Sequence, residues 1–291
     1  VADPALRLPE NAPGPIYVDE TCIDCATCRE MAPSVYAHAP ARGASVVARQ
    51  PVGEAETLAA LSALVACPTA SIGCPPGTDL REARRAFPQE VLPDVLFCGW
   101  TSRDSFGAWA WLVRRAEGNV LVDSPRAASA LLERIEALGG VRTMFLTHAD
   151  DVADHEVFRR RFGCERVMHE ADLDAGTRGV ERVLTGDGPV ALAADLLAIP
   201  VPGHTAGSAA LLFREEVLFS GDHLWGDGPA LDASREVCWH SWPEQVRSVE
   251  RLLEHRFSAV CPGHGPVWRG TPEDAHRELR SLVRRMRRDP S

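Results

Sequence analysis

Four cysteines have the spacing of cluster ligands: Cys22, Cys25 and Cys28 are separated by two residues each, and Cys67 follows far downstream, directly before Pro68. Two-residue spacers let one tight loop aim three sulfurs at a common point. A remote thiolate closes the fourth corner, and the proline turns the chain away; this is the arrangement of cubane iron-sulfur clusters. Zinc is the competing occupant, but zinc ribbons pair two C-x-x-C knuckles, whereas here a triple faces a single cysteine. The expectation is one 4Fe-4S cluster on Cys22, Cys25, Cys28 and Cys67, with a 3Fe-4S cluster as the alternative. Cys74 is left over and is expected to pack nearby as a bystander.

A second constellation is scattered. Thr147-His148-Ala149-Asp150-Asp151-Val152-Ala153-Asp154-His155 follows the apolar Met144-Phe145-Leu146. Pro202-Gly203-His204-Thr205-Ala206-Gly207-Ser208, Ser220-Gly221-Asp222 and Cys261-Pro262-Gly263-His264-Gly265 each follow another apolar run. Loops leaving strand ends are where sheet enzymes keep catalytic groups. Imidazoles and carboxylates there suit a divalent metal, and neighbouring glycines allow close backbone approach to an ion. Asp151 competes with Asp150 and Asp154 in the first loop; Asp150 is the favoured ligand, and Asp151 is an alternative helix cap. Trp239 and His240, in an aromatic stretch before a helix, are candidates for shaping a pocket. Cys98, Cys164, Cys261, Trp109 and Trp111 read as strand packing.

These sites must be positioned by two domains. Pro and Gly break the chain at 11–15 and 73–78, so residues 14–78 form a small module, 79–90 a linker and 91–291 a large domain. In the module, 15–19 and 45–49 read as strands and 54–66 as a helix. So small a block needs staples, which a thiolate-held cluster supplies. In the large domain strands are expected at 91–98, 108–115, 120–123, 143–147, 166–169, 196–201, 209–214, 217–220 and 259–261. Helices are expected at 125–138, 151–162, 242–255 and 272–288, several closed by glycine or opened by proline.

Composition excludes several functions. The 291 residues carry a net charge of −10, which repels nucleic acid. All 31 basic residues are arginine, so a P-loop lysine and Schiff-base chemistry are ruled out. Six arginines crowd 277–288 and read as the solvated end of a helix. No run reaches the roughly 18 apolar residues of a membrane span, and residues 1–15 hold four prolines where a signal peptide would be apolar. Nine cysteines, an odd number with four at cluster spacing, point to a reducing compartment, so the cytoplasm is expected.

The cysteine block resembles bacterial-type ferredoxins of the single-cluster kind, since the second Cys triple of two-cluster members is missing. From Val91 to Trp268, the ordered motifs resemble the metallo-β-lactamase superfamily, with Val120-Leu121-Val122-Asp123-Ser124 as its early strand-turn. That resemblance implies an α/β fold, a four-layer αβ/βα sandwich, behind a small α+β ferredoxin-like domain. It also implies two divalent metals, zinc or iron with manganese as a further option. His148, Asp150 and His204 would hold one, and Asp154, His155 and His264 the other, with Asp222 as bridge. Two departures stand out: the family's His-x-His-x-Asp-His has Asp150 at its second histidine, and two extra residues precede Asp154-His155. The Pro-Gly-His-Thr-Ala-Gly-Ser stretch looks like the glyoxalase II and lactonase branches. The implied chemistry is hydrolysis of a small ester, thioester or lactone by a metal-bridging hydroxide, with Asp222 and Asp150 catalytic. A di-iron oxidoreductase fed by the cluster, for oxygen or nitric oxide chemistry and with a redox partner protein, is the alternative. A non-enzymatic iron-sulfur sensor is the third.

Overall fold

The computed structural model describes residues 2–288. Two sheets build the large domain. The first orders its strands 182–184, 165–169, 143–145, 120–122, 111–113, 95–97 and 89–92 across seven positions. The second runs 190–193, 196–200, 209–213, 217–221, 259–262 and 268–269.

The alternation of side chains along these strands explains the layering. Val95, Phe97, Trp111, Val113, Val120 and Val122 of the first sheet share a core with Ala198, Leu211, Phe213, Val217, Phe219 and Cys261 of the second. Their neighbours point the other way: Leu96, Leu112, Leu121 and Met144 meet Leu131, Ile135 and Phe158 of the helices Ser129–Ala137 and His155–Phe162. On the far side, Ile199, Leu212, Leu218 and Val260 meet helices Trp242–Arg251 and Pro272–Arg288. Period-two strands thus bury both faces, and helix, sheet, sheet and helix stack as αβ/βα. The last helix buries Ala275, Leu279, Leu282, Val283 and Met286, one stripe at helical spacing. Thr271 and Asp274 exchange hydrogen bonds of 2.9 and 3.1 Å at its start as a capping box. Arg277, Arg285 and Arg287 pair with acids, the last with Glu250 at 2.6 Å.

The N-terminal module pairs Tyr17–Val18 with Ile72–Gly73 and carries a hairpin, Tyr36–Ala39 with Ala44–Val47, and the helices Thr27–Met31 and Gly53–Ala66. Residues before 14 are built into it. Buried Asn11 donates to the carbonyls of Leu8 and Val18 and accepts from the amides of Val18 and Val47. The expected linker is also structured: Arg81–Arg85 is helical, and Gln89–Leu92 forms a hairpin with Val95–Phe97, so the strand expected at 91–98 is broken. Pro93 and Asp94 cause the break, because Asp94 turns the chain at φ 63°.

The module docks on the large domain through a continuous core that runs from Val35, Val47 and Ala63 to Phe87 and Phe97. The Thr101 amide and hydroxyl donate to the Ala66 carbonyl at 3.2 and 2.8 Å. Among the described residues, no helix is long and apolar enough to cross a membrane.

Candidate metal centre and cluster site

The cluster cysteines come together without any disulfide. Cys22, Cys25, Cys28 and Cys67 line one enclosed cavity with Val18, Ile72 and Pro68. The loop bends tightly because Asp24 and Ala26 adopt left-handed conformations at φ 60° and 64°. Backbone amides of Ser45 and Ser71 donate to Cys22 Sγ and Cys67 Sγ, each at 3.4 Å, which stabilises thiolate charge. Burial pushes the Cys28 thiol up to about 12, a cost that iron coordination would remove by holding the thiolate. Cys74 is outside the cavity lining, beside Gly73 on the strand that pairs with Tyr17.

The second constellation converges at one rim of the sandwich, where the two sheets' strand ends face each other. Thr143–Phe145 delivers His148, and the next residues form a 3-10 turn, Ala149–Asp151. His148 itself is extended, and the turn that follows brings Asp151 back beside it. His148 Nε2 is 3.8 Å from both Asp151 Oδ2 and Asp222 Oδ2. His204 Nε2 is 3.4 Å from Asp150 Oδ2 and 3.9 Å from Asp222 Oδ2, and the rings of His148 and His204 meet edge to face at 4.7 Å. His264 Nδ1 is 2.8 Å from Asp222 Oδ1. Gly263 leaves room for this nest, since a Cβ there would sit 2.7 Å from Asp222 Oδ1 and 2.8 Å from Asp151 Oδ2.

The expected ligand set therefore needs correction. His148, Asp150, His204, Asp222 and His264 are brought together; Asp154 and His155 are not. The Asp154 carboxylate accepts the Ala127 amide at 2.7 Å, and His155 Nδ1 accepts from the Arg166 guanidinium at 3.1 Å. The helix begins at His155 rather than Asp151, which turns both residues away from the rim. Asp151 takes their place.

The donor set fits divalent cations. His148 Nε2, His204 Nε2 and both oxygens of Asp151 are buried and have no hydrogen-bond partner among the described residues. A buried, unpaired carboxylate is costly, and a coordinated cation is the standard remedy. Burial lifts the Asp151 carboxyl well above the usual range and drops the His148 imidazole to about 4. Burial also opposes charge on Asp222, but His264, His148 and His204 outweigh it and hold that carboxyl low. Three imidazole nitrogens and three carboxylates suit zinc, iron or manganese.

Supporting contacts orient the ligands. His204 Nδ1 donates to the Val237 carbonyl, leaving Nε2 free to face the nest. Thr147 Oγ1 lies 2.9 Å from His148 Nδ1 and donates to the buried Asp123 at 2.9 Å. Asp172, which no sequence motif marks, ties two ligand loops together. It accepts from the Ala149 amide at 3.0 Å, the Gly207 amide at 2.6 Å and the Thr205 hydroxyl at 2.5 Å. Two exposed aromatics flank the opening. The Trp239 ring lies 6.2 Å from His204 and the Phe106 ring 6.1 Å from His264. His240 turns outward to Glu244 at 3.0 Å, and Cys261 is buried between the sheets.

Comparison with known proteins agrees with both halves. Residues 18–74 match the family model of the 4Fe-4S single cluster domain of ferredoxin I. The chain is 28% identical over 122 residues to a beta-lactamase-like protein 2 homolog of Caenorhabditis elegans, covering 40% of this chain and 37% of that protein. It is 32% identical over 129 residues to the hydroxyacylglutathione hydrolase of Acidiphilium cryptum, covering 41% and 50%. The chain thus spans half or less of the length of these curated relatives. A metallo-β-lactamase from Erythrobacter litoralis superposes with a TM-score of 0.54 at 16% identity, over 68% of this chain and 95% of that one. The large domain has the metallo-β-lactamase fold. Residues 18–74 form an N-terminal ferredoxin-type domain ahead of it.

Proposed function

We propose that the large domain hydrolyses a small ester, thioester or lactone with two divalent metal ions in the nest. The observation that carries this reading is the convergence of His148, Asp150, Asp151, His204, Asp222 and His264, with buried ligand atoms that have no protein partner. The similarity to a hydroxyacylglutathione hydrolase supports a thioester as substrate. Bound there, two ions lower the pKa of a shared water and polarise a carbonyl oxygen.

The protein's own residues supply the rest. Asp222, within 3.9 Å of all three imidazoles, orients the attacking water. Access is from the side of Asp150, whose side chain is 51% exposed while that of His148 is 1% exposed. Asp150 therefore meets substrate at the rim, and Trp239 and Phe106 offer apolar walls to its acyl or leaving portion.

A di-iron oxidoreductase is the second reading, favoured by a donor set in which carboxylates equal imidazoles, because oxygen ligands suit iron and manganese. Elemental analysis of protein purified without oxygen, followed by assays with S-acyl glutathione thioesters, aryl esters and lactones, decides between them. Zinc with turnover of one of these substrates supports the hydrolase. Iron beyond the cluster, no hydrolysis and reductant-dependent oxygen consumption would sink it. The expected compartment is the reducing cytoplasm, consistent with nine free cysteines, and the expected partners are a small-molecule substrate and a one-electron carrier protein.

A further inference from the structure

The cluster cavity and the metal nest meet at one dipeptide. Gly107, in the loop leading to strand Trp111–Val113, lies against the cluster loop. A Cβ at this position would sit 2.7 Å from Cys25 Cβ, 2.8 Å from Cys25 Sγ and 3.3 Å from Pro68 Cγ. Its φ of 89° also favours glycine, so the backbone itself touches a cluster ligand. Thr27, two residues past Cys25, donates its hydroxyl to the Gly107 carbonyl at 3.2 Å.

The preceding residue reaches the other centre. The Phe106 carbonyl accepts from His264 Nε2 at 3.4 Å, while His264 Nδ1 faces Asp222 at 2.8 Å. Phe106 is 55% exposed and holds φ at 48°, an uncommon conformation for a bulky side chain. Such strain persists where the surroundings over-determine it. Here the surroundings are the two sites, and the Trp109 amide adds a bond to the Gly263 carbonyl at 2.7 Å. One continuous path therefore runs from Cys25 through Gly107 and Phe106 to His264 and Asp222.

We infer that Phe106 and Gly107 couple the two centres and make the nest redox-responsive. The nest binds its cations more tightly when the cluster is reduced, and a loaded nest makes the cluster easier to reduce. The inference rests on the reading of the nest as a cation site. Reduction adds one electron to the cluster, with no bond made or broken and no proton moved; the electron comes from a one-electron carrier protein, or from dithionite in the test. The added negative charge is stabilised by cations at the far end of the path, and the buried part of that path at Gly107 screens less than water. Reciprocity follows from linkage, since each event must favour the other by the same factor.

The test uses the full chain with its cluster intact and the nest stripped by EDTA. The cluster is titrated with dithionite and followed by EPR, with and without saturating zinc, which is itself redox-inert. The expected result is a roughly tenfold shift of the reduction equilibrium towards the reduced cluster, or about 59 mV upward for one electron. Zinc that washes out on desalting would overturn the nest reading itself. Zinc that is retained while the cluster midpoint stays unchanged would overturn the coupling alone. Thr27→Val keeps the side-chain shape and removes the bond to Gly107. It should lessen the zinc-induced shift with cluster iron and zinc content preserved, and an undiminished shift would show that this segment is not the route. The reciprocal measurement needs no variant: zinc should bind the unmodified chain about tenfold more tightly when the cluster is reduced, and equal affinities would end the proposal.

Discussion

His148 Nε2 and Asp151 Oδ2 face each other at 3.8 Å, both buried and neither with a hydrogen-bond partner. His148 is the extended residue that opens a 3-10 turn, and Asp151 closes that turn. The turn thus provides an imidazole and a carboxylate from one short stretch, and it makes Asp151 the partner that Asp154 and His155 were expected to be.

Asp151→Asn should lower the metal content of the large domain by about one ion per chain and weaken retention of the other. A cation charge left facing a neutral amide loses most of its attraction. Asp154→Asn should retain the full metal content. Elemental analysis of the two proteins side by side checks this, and equal loss from both would return Asp154 to the ligand set.

Asp222→Asn should strip metal from the large domain and reduce hydrolysis of any identified substrate by about a hundredfold or more, the scale expected when a group acting in the transition state is removed. The cluster absorbance should be unaffected, because Asp222 is not among the residues that line the cluster cavity. Visible spectra and metal analysis on one preparation separate the outcomes.

Asp172→Ala leaves the amides of Ala149 and Gly207 and the Thr205 hydroxyl without their shared acceptor. Metal affinity should fall about 10- to 100-fold, the range for losing a partner behind the ligands. Competition with a chromophoric chelator measures it. Unchanged affinity would mean that the two loops hold their geometry without Asp172.

Cys25→Ser should abolish the visible chromophore, and Cys74→Ser should leave it intact. Absorbance near 400 nm, a typical region for such clusters, compared at equal protein concentration, decides whether Cys74 stays a bystander.

Stability of the metal-free protein should depend on Asp123 in a defined direction. Burial raises its carboxyl to about 7 in the folded state. The folded chain therefore binds a proton that the unfolded chain releases, so this contribution is fully present below about pH 4 and lost as pH rises through 7. His148, lowered to about 4 by burial, acts in the opposite sense, since its contribution is lost as pH falls below 6.5. Urea melts of chelated wild type and Asp123→Asn across pH 4 to 8 isolate the Asp123 part as the difference between slopes. Parallel slopes would show that Asp123 is ionised in the folded protein throughout.

The sequence by itself determined what depends on local spacing. Cys22, Cys25 and Cys28 lie within one loop and must point together whatever surrounds them, and the continuous apolar runs Val95-Leu96-Phe97 and Val120-Leu121-Val122 already read as strands. His204, Asp222 and His264 were legible because each directly follows an apolar strand beside a glycine. Only the tertiary structure decided which residues of the 148–155 loop enter the nest, because the helix starts at His155, four residues later than expected, and this turns Asp154 and His155 away; spacing is blind to that choice. Asp172 and the Phe106–Gly107 contact were equally hidden: their partners lie 23 to 35 and 80 to 158 positions away. Proximities over such separations are set by how the sheets and the module pack, and no short stretch of chain encodes them.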